Sequence, residues 1–284
     1  MGNSLRDVLQ ERRNRGQAIL ATNFYNAETL LAVLQAAWET GSPVILQTSP
    51  STIQYLGIRV AAGMARAAAE EVGVQAWLHL DHARDVELIR RCVQVGYDSV
   101  MIDASDKDFE TNVRITREVV SLAQPRGVLV EAELGYIPKL GEREAQQFEM
   151  TSPEQAERFV QETGVDLLAV AIGNAHGFYK QMPHLDLERL QTIREQVGAF
   201  LVLHGASGIP DDQWREAVRR GIVKVNFATE IKDTFMAYLR TAIQHSDSID
   251  IRQVFPSAMH AVTELVKQKM ALCAGQETSS PLAK

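Results

Sequence analysis

Residues 76–102 read AWLHLDHARDVELIRRCVQVGYDSVMI, and this segment contains one complete structural unit. It begins with a short apolar run, 76–80, and closes with another, 99–102, both typical of buried strands. Between them, residues 86–95 carry apolar side chains at three- and four-residue spacing, which predicts a helix, and Gly96 stands where helices commonly end. A strand, a helix and a second strand in this order indicate a βαβ unit with parallel strands.

The same unit recurs along the whole chain. Strands are predicted at 18–22, 43–47, 76–80, 99–102, 128–133, 167–171, 200–203 and 222–225. Helices are predicted at 27–40, 53–72, 86–95, 109–124, 153–163, 187–196, 212–220 and 230–245. Eight units in 284 residues favour an α/β fold of the closed (β/α)8 TIM barrel type over a doubly wound sheet, and no G-x-G-x-x-G follows the first strand.

The remaining segments fit one barrel domain over 1–284. Residues 250–273 predict one or two extra C-terminal helices, and 275–284 are interpreted as a flexible tail. The formal net charge of -7 argues against a nucleic-acid partner. No apolar run reaches the roughly 20 residues of a membrane span, and the N-terminus lacks the apolar core of a signal peptide. Cys92 and Cys273 lie far apart in sequence, which is typical of reduced thiols and predicts a cytoplasmic protein.

Polar side chains stand where the predicted strands end. They are Asn23, Ser49, Asp81, His82, Asp103, Glu133, His176, His204 and Asn226. In a TIM barrel the loops after the strands meet at one mouth, so these residues are expected to converge. Taken singly, each histidine is more typical of a hydrogen-bonded core residue. Together, His82, His176 and His204 describe a catalytic zinc site with one coordination position left open.

Two loops carry a phosphate-binding pattern. HGAS (204–207) and NFATE (226–230) follow strands seven and eight, where TIM barrels frequently bind phosphate through backbone N–H groups and a helix N-terminus. Gly205 allows a bound group to approach the backbone closely. Thr229 is predicted to cap the helix that begins near residue 230, and an ordinary N-cap without a ligand is the alternative interpretation.

Eight segments, in order, resemble the class II fructose-bisphosphate and tagatose-bisphosphate aldolase family over nearly the whole chain. They are ATNFYNAET (21–29), SPVILQTSP (42–50), LHLDH (78–82), MIDAS (101–105), EAELG (131–135), AVAIGNAHG (169–177), LVLHGASG (201–208) and KVNFATE (224–230). The tagatose-type branch is the more similar one. The resemblance implies a lyase that converts a ketose phosphate into dihydroxyacetone phosphate and an aldehyde, and it implies a homo-oligomer of two or four copies.

The resemblance also implies roles for particular residues. His82, His176 and His204 would bind the zinc, and Asp81 would be the acid/base that acts on the aldehyde-side hydroxyl. Asp103 and Glu133 match positions that hold the metal in an alternative buried site or steady its ligands. The positions that match substrate contacts are Asn23, Ser49, Gly177, Lys180, Gly205, Ser207, Asn226 and Thr229. A monovalent cation, Na⁺ or K⁺, would lie near the phosphate.

The sequence departs from the family pattern at two places. The loop after strand five reads YIPKLGERE (136–144); Glu142 is expected to be the second acid, Glu144 is the alternative, and solvated loop carboxylates are the other interpretation. Pro256 stands where relatives that cleave bisphosphates carry an arginine for the distal phosphate. Arg84 or Lys107 would then hold a distal group such as a sulfonate or carboxylate, unless they are ordinary surface charges; a deoxy terminus would also fit.

Three other functions remain open at this stage. A Schiff-base aldolase on the same fold would use Lys224 or Lys180 as its nucleophile, but it would leave the three histidines unexplained. A metallohydrolase barrel would carry a paired H-x-H at strand one, where Asn23 stands. A non-catalytic sugar-phosphate-binding or accessory subunit would keep the fold and the phosphate loops and would not need Asp81.

Overall fold

The computed structural model describes residues 3–138, 150–179 and 182–276. Eight parallel strands form a closed barrel in which each strand pairs with the next and the eighth pairs with the first. They are β1 (Ile19–Asn23), β2 (Val44–Thr48), β3 (Ala76–Ala83), β4 (Ser99–Ile102), β5 (Leu129–Leu134), β6 (Leu167–Val170), β7 (Phe200–Leu203) and β8 (Ile222–Phe227). The predicted (β/α)8 barrel is confirmed, with β3 and β8 extending beyond their predicted ends.

Helices surround the barrel. They are α1 (Leu5–Arg15), α2 (Ala27–Thr40), α3 (Pro50–Leu56), α4 (Ile58–Val72), α5 (Val86–Val95), α6 (Phe109–Ala123), α7 (Pro153–Thr163), α8 (Leu187–Gln196), α9 (Asp211–Arg219), α10 (Thr229–Gln244), α11 (Ile251–Val254) and α12 (Pro256–Cys273). A 3-10 turn spans Gln124–Arg126. Helices α11 and α12 confirm the extra C-terminal helices, and α12 packs against α2 and α10. None of the helices in the described ranges combines the length and apolar character needed to cross a bilayer.

One predicted helix is corrected. The pattern over 53–72 predicts a single helix, but the chain forms α3 and α4 with a break at Gly57. This glycine has φ 86° and ψ 139°, a conformation that L side chains rarely adopt. Apolar spacing continues through the break because both helices bury the same side against the barrel, so periodicity alone does not reveal it.

Side-chain caps stabilise the N-termini of several helices, and glycines follow the C-termini of several. The Asn26, Asp85, Asp108 and Ser152 side chains accept hydrogen bonds from backbone N–H groups in the first turns of α2, α5, α6 and α7. Such caps contribute about 1 kcal/mol each. The predicted helix ends at residues 41, 73, 96 and 164 are glycines in the left-handed conformation. These signals place the loops that carry the polar residues at one end of the barrel.

The barrel interior changes from apolar to polar along its axis. Helix α1 closes the N-terminal end, where Leu5 and Leu9 belong to one buried apolar cluster with Ile45, Trp77 and Phe200. Further along the axis lies a fully buried polar layer. Its members are Gln47, His79, Ser99, Glu131 and Lys224. His79, expected to be a packed residue within its strand, is fully buried, and its Nδ1 lies 2.5 Å from Ser99 Oγ.

Candidate active site

A cleft of about 750 Å³ opens at the C-terminal end of the barrel and adjoins a narrow recess between the loops that follow β7 and β8. The predicted site residues that line the cleft are Asn23, Ser49, Asp81, His82, Arg84, Asp103, Glu133, His176 and Gly177. Those that line the recess alone are Gly205, Ser207, Asn226 and Thr229. Lys180 and Glu142, with the alternative Glu144, lie outside the described residues. The structure therefore brings together side chains that follow all eight strands.

Four side chains form a cluster suited to a metal ion. One ligand atom from each of His82, Glu133, His176 and His204 lies within 4.8 Å of the others. His204 Nδ1 is 2.9 Å from His82 Nε2, and the ring centroids of His82 and His176 are 4.8 Å apart. Zinc in catalytic sites is held by three protein ligands, commonly imidazole nitrogens with or without a carboxylate oxygen, and this cluster offers both kinds of donor. Asp103 is not a member of this cluster.

The end of β3 has an irregular backbone that turns two adjacent residues into the cleft. In a regular strand, Asp81 and His82 would point to opposite faces. His82 adopts φ 49°, and the pairing of β3 with β4 shifts register between Leu80 and Ala83. A left-handed non-glycine residue costs about 1–2 kcal/mol. Both Asp81 and His82 line the cleft as a result.

Two carboxylates orient two of the histidines. Asp103 Oδ2 lies 3.0 Å from His82 Nδ1, and Glu131 Oε1 lies 2.8 Å from His204 Nε2. Each contact directs one ring nitrogen to a carboxylate, which leaves His82 Nε2 and His204 Nδ1 facing each other in the cluster. Histidine ligands of metals commonly have such carboxylate partners, which set the tautomer and the ring orientation. Asp103 is itself held by the Ser105 hydroxyl, which donates to Oδ1 at 2.8 Å.

The electrostatics of the cluster favour a bound cation. Burial lowers the pKa of His82, but the charge of Asp81 and the hydrogen bond to Asp103 outweigh it and raise that pKa to about 9. Burial raises the pKa of Glu133 to about 8, partly opposed by His82. Burial, together with the charge of His82, lowers the pKa of His204, so this ring is neutral, as metal binding requires. A dipositive ion would take the place of these protons.

Asp81 is held by two amides. Asn23 Nδ2 donates to Asp81 Oδ2 at 3.2 Å, and Asn226 Nδ2 donates to Asp81 Oδ1 at 3.1 Å. Asp81 Oδ1 lies 3.9 Å from His82 Nε2, so the carboxylate borders the cluster without joining it. Asp81 remains 8% exposed, and it lines both the cleft and the recess. A carboxylate placed in this way can exchange a proton with a group bound beside the metal.

The fold and the site agree with one family of proteins. The family model described as fructose-bisphosphate aldolase class-II matches residues 3–278. The chain belongs to the class II fructose-bisphosphate aldolase family. It is therefore an enzyme, a carbon–carbon lyase of the aldolase type. The family is generally zinc-dependent and binds sugar phosphates.

Solved structures of class II aldolases resemble this one over almost their full length. The YdjI aldolase from Escherichia coli K12 is 35% identical, with a TM-score of 0.82 over 96% of this chain and 97% of the other. A putative fructose-1,6-biphosphate aldolase from Coccidioides immitis is 36% identical, with a TM-score of 0.85 over 97% of both chains. Fructose-bisphosphate aldolase (Fba) from Campylobacter jejuni, 22% identical with a TM-score of 0.81 over 95% and 93% of the two chains, shares the fold.

The recess of this aldolase is built on a close approach between two loops. A Cβ atom at Gly205 would lie 2.1 Å from the carbonyl oxygen of Ala175, and Gly205 has φ 63°, so only glycine fits there. Tyr179 joins the same loops, because its hydroxyl accepts from the Ala175 N–H at 2.7 Å and donates to the Gly205 carbonyl at 3.0 Å. No sequence pattern predicts this role for Tyr179.

The start of α10 differs from its prediction. The sequence pattern predicts Thr229 as the cap of a helix that begins near residue 230, but the helix begins at Thr229 itself and Ala228 is the N-cap. Ala228 makes no side-chain cap hydrogen bond. The first N–H groups of a helix lack partners within the helix and attract anions. Thr229 therefore contributes to the recess from inside the first turn.

Charged side chains surround the outer part of the cleft. Arg84 Nη1 lies 3.4 Å from Asp106 Oδ2, and both residues line the cleft. Lys107 Nζ lies 3.3 Å from the same carboxylate, but Lys107 lines a neighbouring cavity instead. Lys232 also lines the cleft, and its Nζ lies 5.4 Å from the ring centroid of Tyr25. The sequence patterns do not predict this residue. Arg84 and Lys232 thus provide positive charge within this aldolase's cleft.

Glu131, like Tyr179 and Lys232, was not predicted as a site residue, although it stands in the EAELG segment. It lies two positions before Glu133, so in a strand both side chains face the barrel interior. Lys224, the candidate Schiff-base nucleophile, is fully buried, and its Nζ donates to Glu131 Oε2 at 2.8 Å. An amine engaged in an ion pair has no free lone pair for attack on a carbonyl, so this geometry disfavours a Schiff base at Lys224.

Proposed function

We propose that this class II aldolase binds a catalytic zinc ion through His82, His176 and His204. It would cleave a ketose 1-phosphate to dihydroxyacetone phosphate and an aldehyde, and would catalyse the reverse condensation. The observation that carries the proposal is the cluster of three imidazoles and Glu133, with ligand atoms within 4.8 Å of one another at the barrel mouth. A sugar-phosphate-binding subunit without activity would not need Asp81 beside this cluster.

The residues present fit the metal that the family implies. The three histidines supply neutral nitrogen ligands, and Glu133 supplies an oxygen that would hold the ion deeper in the barrel. Asp103 and Glu131 orient two of the rings. When bound, zinc supplies a Lewis acid that polarises the carbonyl of the substrate.

Asp81 would act as the acid/base for the aldehyde half of the substrate. In cleavage it would accept the proton of the C4 hydroxyl while the C3–C4 bond breaks, and Asn23 and Asn226 would hold its carboxylate in place. Such positioned proton transfers contribute about 100- to 10,000-fold to rates. The proton returned to the other half would come from Glu142, with Glu144 as the alternative.

The recess would hold the phosphate of the dihydroxyacetone phosphate half. The N-terminus of α10, the backbone at Gly205 and the Ser207 hydroxyl all border it. Helix N-termini attract phosphate oxygens through unpaired N–H groups and the helix dipole. Gly177 lines both the recess and the cleft. The resemblance adds Lys180 and a monovalent cation, Na⁺ or K⁺, to this phosphate site.

The outer cleft would receive the distal end of the substrate, on the side of Ser49 and Arg84. Pro256 begins α12 and supplies no charge. Arg84 carries a positive charge that Asp106 partly balances. Among the described residues that line the cleft, Lys232 supplies another positive charge. Because Asp106 partly balances Arg84 and Pro256 supplies no charge, a distal group with one negative charge, such as a carboxylate or sulfonate, or a deoxy terminus, is favoured; a role for Lys232 would instead favour a second phosphate.

We further propose that the protein is a cytoplasmic homo-oligomer. Cys92 and Cys273 are both free and buried, as is typical of a reducing compartment. Helix α2 exposes 60% of Trp38, and α10 exposes 59% of Ile243. A second copy of the chain would cover such apolar surface.

The test combines metal analysis with a substrate panel. We expect the purified protein to hold about one zinc per chain and to release dihydroxyacetone phosphate from a ketose 1-phosphate. The panel would vary the distal group among phosphate, sulfonate, carboxylate and methyl, and kcat/KM would be compared. Full activity after exhaustive chelation contradicts the zinc proposal, and no cleavage of any member by the zinc-loaded protein favours the non-catalytic subunit.

A further inference from the structure

Lys224 is a fully buried cation in the barrel interior with two specific partners. Its Nζ lies 2.8 Å from Glu131 Oε2 and 2.7 Å from Asn226 Oδ1. A buried ammonium group is unfavourable unless it is paired and hydrogen-bonded. Because Lys224 is fully buried, it cannot touch a substrate, and its place in the fold requires another explanation.

The backbone of β8 directs Lys224 and Asn226 to the same side. Val202 pairs with Lys224 although Leu201 pairs with Ile222, so β8 contains one extra residue at this point. Beyond this bulge, Lys224 and Asn226 stand two residues apart and both face the interior. The bulge therefore places the ammonium group directly below the Asn226 amide.

Lys224 decides which end of the Asn226 amide faces the active site. An ammonium group has three donors and no acceptor, so only the amide oxygen can face it. The nitrogen of the same amide must then point the other way, where Asp81 Oδ1 lies 3.1 Å from Asn226 Nδ2. If the amide turned over, its oxygen would face the carboxylate and repel it.

The neighbouring histidine does not compete for this donor. Asn226 Nδ2 also lies 3.1 Å from His204 Nε2, but that nitrogen is only 2.8 Å from Glu131 Oε1. Glu131 is ion-paired with Lys224 through its other oxygen and acts as an acceptor. His204 Nε2 therefore donates to Glu131, and the carboxylate of Asp81 is the acceptor for the Asn226 amide.

We propose that Lys224 is a positioning residue that orients Asp81 by fixing the Asn226 amide. The chain of contacts runs from Lys224 Nζ to Asn226 Oδ1, and from Asn226 Nδ2 to Asp81 Oδ1. Asn23 Nδ2 donates to the second oxygen of Asp81. The inference rests on the proposed function, in which Asp81 accepts the proton of the C4 hydroxyl.

The reaction has two parts, and only one of them uses Asp81. In cleavage, the C4 hydroxyl proton moves to Asp81, the C4 oxygen becomes the aldehyde carbonyl, and the C3–C4 bond breaks. The electron pair of this bond stays with C3 of the dihydroxyacetone phosphate half, which then gains a proton from the second acid. Exchange of a C3 hydrogen of dihydroxyacetone phosphate with solvent involves no C4 hydroxyl, so it does not require Asp81.

The test compares the rate of cleavage with the rate of hydrogen exchange in two variants. Lys224→Met removes the donor, and Lys224→Met/Glu131→Gln removes both charges of the ion pair while keeping a carbonyl oxygen that accepts from His204 Nε2. Lys267→Met is the control, because it removes an ion-paired lysine of α12 outside the cleft. The measurements are the unfolding temperature, zinc content, cleavage kcat, and hydrogen exchange of dihydroxyacetone phosphate in D₂O.

We expect the double variant to regain thermal stability relative to Lys224→Met and to retain zinc. Its cleavage kcat should stay about 10- to 150-fold below the parent value, the range for losing a charge-assisted hydrogen bond. On zinc-replete protein, exchange should fall much less than cleavage, because Asp81 takes no part in exchange. The same cleavage defect should appear in Lys224→Met if that variant folds, and Lys267→Met should change neither rate.

Two results would overturn the positioning role. One is recovery of cleavage in the double variant together with stability, which would mean that Lys224 only neutralises Glu131. The other is a parallel loss of exchange and cleavage, which would mean a general loss of the site. A parent enzyme that shows neither activity would instead contradict the proposed function, and the inference that rests on it would fail as well.

Discussion

Asp103 Oδ2 lies 3.0 Å from His82 Nδ1, so a carboxylate that follows β4 orients an imidazole that follows Asp81 at the end of β3. Burial raises the pKa of Asp103, but the hydrogen bond to His82 and the charge of the imidazole outweigh it and hold that pKa well below its usual value. Asp103 therefore stays ionised and accepts from His82, which leaves His82 Nε2 available to the metal cluster.

Asp103→Ala should weaken zinc binding while leaving the fold intact. Loss of such an orienting carboxylate typically lowers metal affinity by about 10- to 100-fold. Asp103→Asn should lose less, because its amide oxygen can still accept from Nδ1. The measurement is a zinc competition titration, with Asp106→Ala as the control, since Asp106 contacts Arg84 and Lys107. Equal zinc affinity in Asp103→Ala and the parent would exclude the orienting role.

His82→Ala, His176→Ala and His204→Ala should each lose zinc and activity. The reason is their shared placement within one cluster of ligand atoms. The zinc content should fall from about one ion per chain towards zero. His245→Ala is the control and should keep the zinc, because His245 is an exposed residue directly after the end of α10. If one of these three variants retains full zinc content and activity, the histidine that it replaces is not a zinc ligand.

Asp81→Ala should keep the zinc and the fold but lose cleavage. Asp81 borders the cluster without belonging to it, so its loss removes proton transfer and not a ligand. The expected loss of kcat is about 100- to 10,000-fold. Steady-state kinetics on metal-replete protein check this, with zinc content as the internal control. Activity near that of the parent would assign the proton transfer to another group.

Arg84→Ala should raise KM for a substrate with an anionic distal group and leave a neutral one nearly unchanged. Loss of a charge-assisted hydrogen bond predicts a selectivity change of about 10- to 150-fold. Fructose 1,6-bisphosphate and tagatose 1,6-bisphosphate should be poor substrates for the parent. Lys107→Ala is the control, because Lys107 shares the Asp106 partner but does not line the cleft. If a bisphosphate is the best substrate and Arg84→Ala has no effect, then Lys232 or another subunit supplies the positive charge that binds the distal phosphate.

Gly205→Ala should lower both thermal stability and activity. The added Cβ would lie 2.1 Å from the Ala175 carbonyl oxygen, so the loops around the recess would have to separate. Gly198→Ala is the matched control, since its Cβ would meet no atom within 4 Å. Unfolding temperatures and KM for the ketose phosphate check the pair. If Gly205→Ala has the same KM as the parent, the close contact between Gly205 and the Ala175 carbonyl does not shape the recess.

Local patterns explain why so much of the architecture is predictable. Alternating apolar runs and helical spacing mark eight strands and the helices between them, and glycines mark the ends of several helices. In a parallel barrel the loops after all the strands meet at one mouth. The topology alone therefore predicts that the residues after each strand lie close together. Gly57 shows where prediction from apolar spacing fails. The spacing continues through this residue, but its backbone conformation separates α3 from α4.

The barrel, the convergence of His82, His176 and His204, and the placement of Asp81 and Asn226 at the same mouth can all be predicted from the amino-acid sequence. Periodicity and the carboxyl ends of parallel strands are sufficient for these conclusions. Three relationships are visible only in the folded chain: Glu131 orients His204, Asp103 contacts a ring nitrogen of His82, and Lys224 is buried below Asn226. These relationships depend on strand bulges, a left-handed residue and contacts across the barrel. Residues far apart in sequence create them by packing, and the regular alternation of strand side chains does not reveal where a bulge interrupts it.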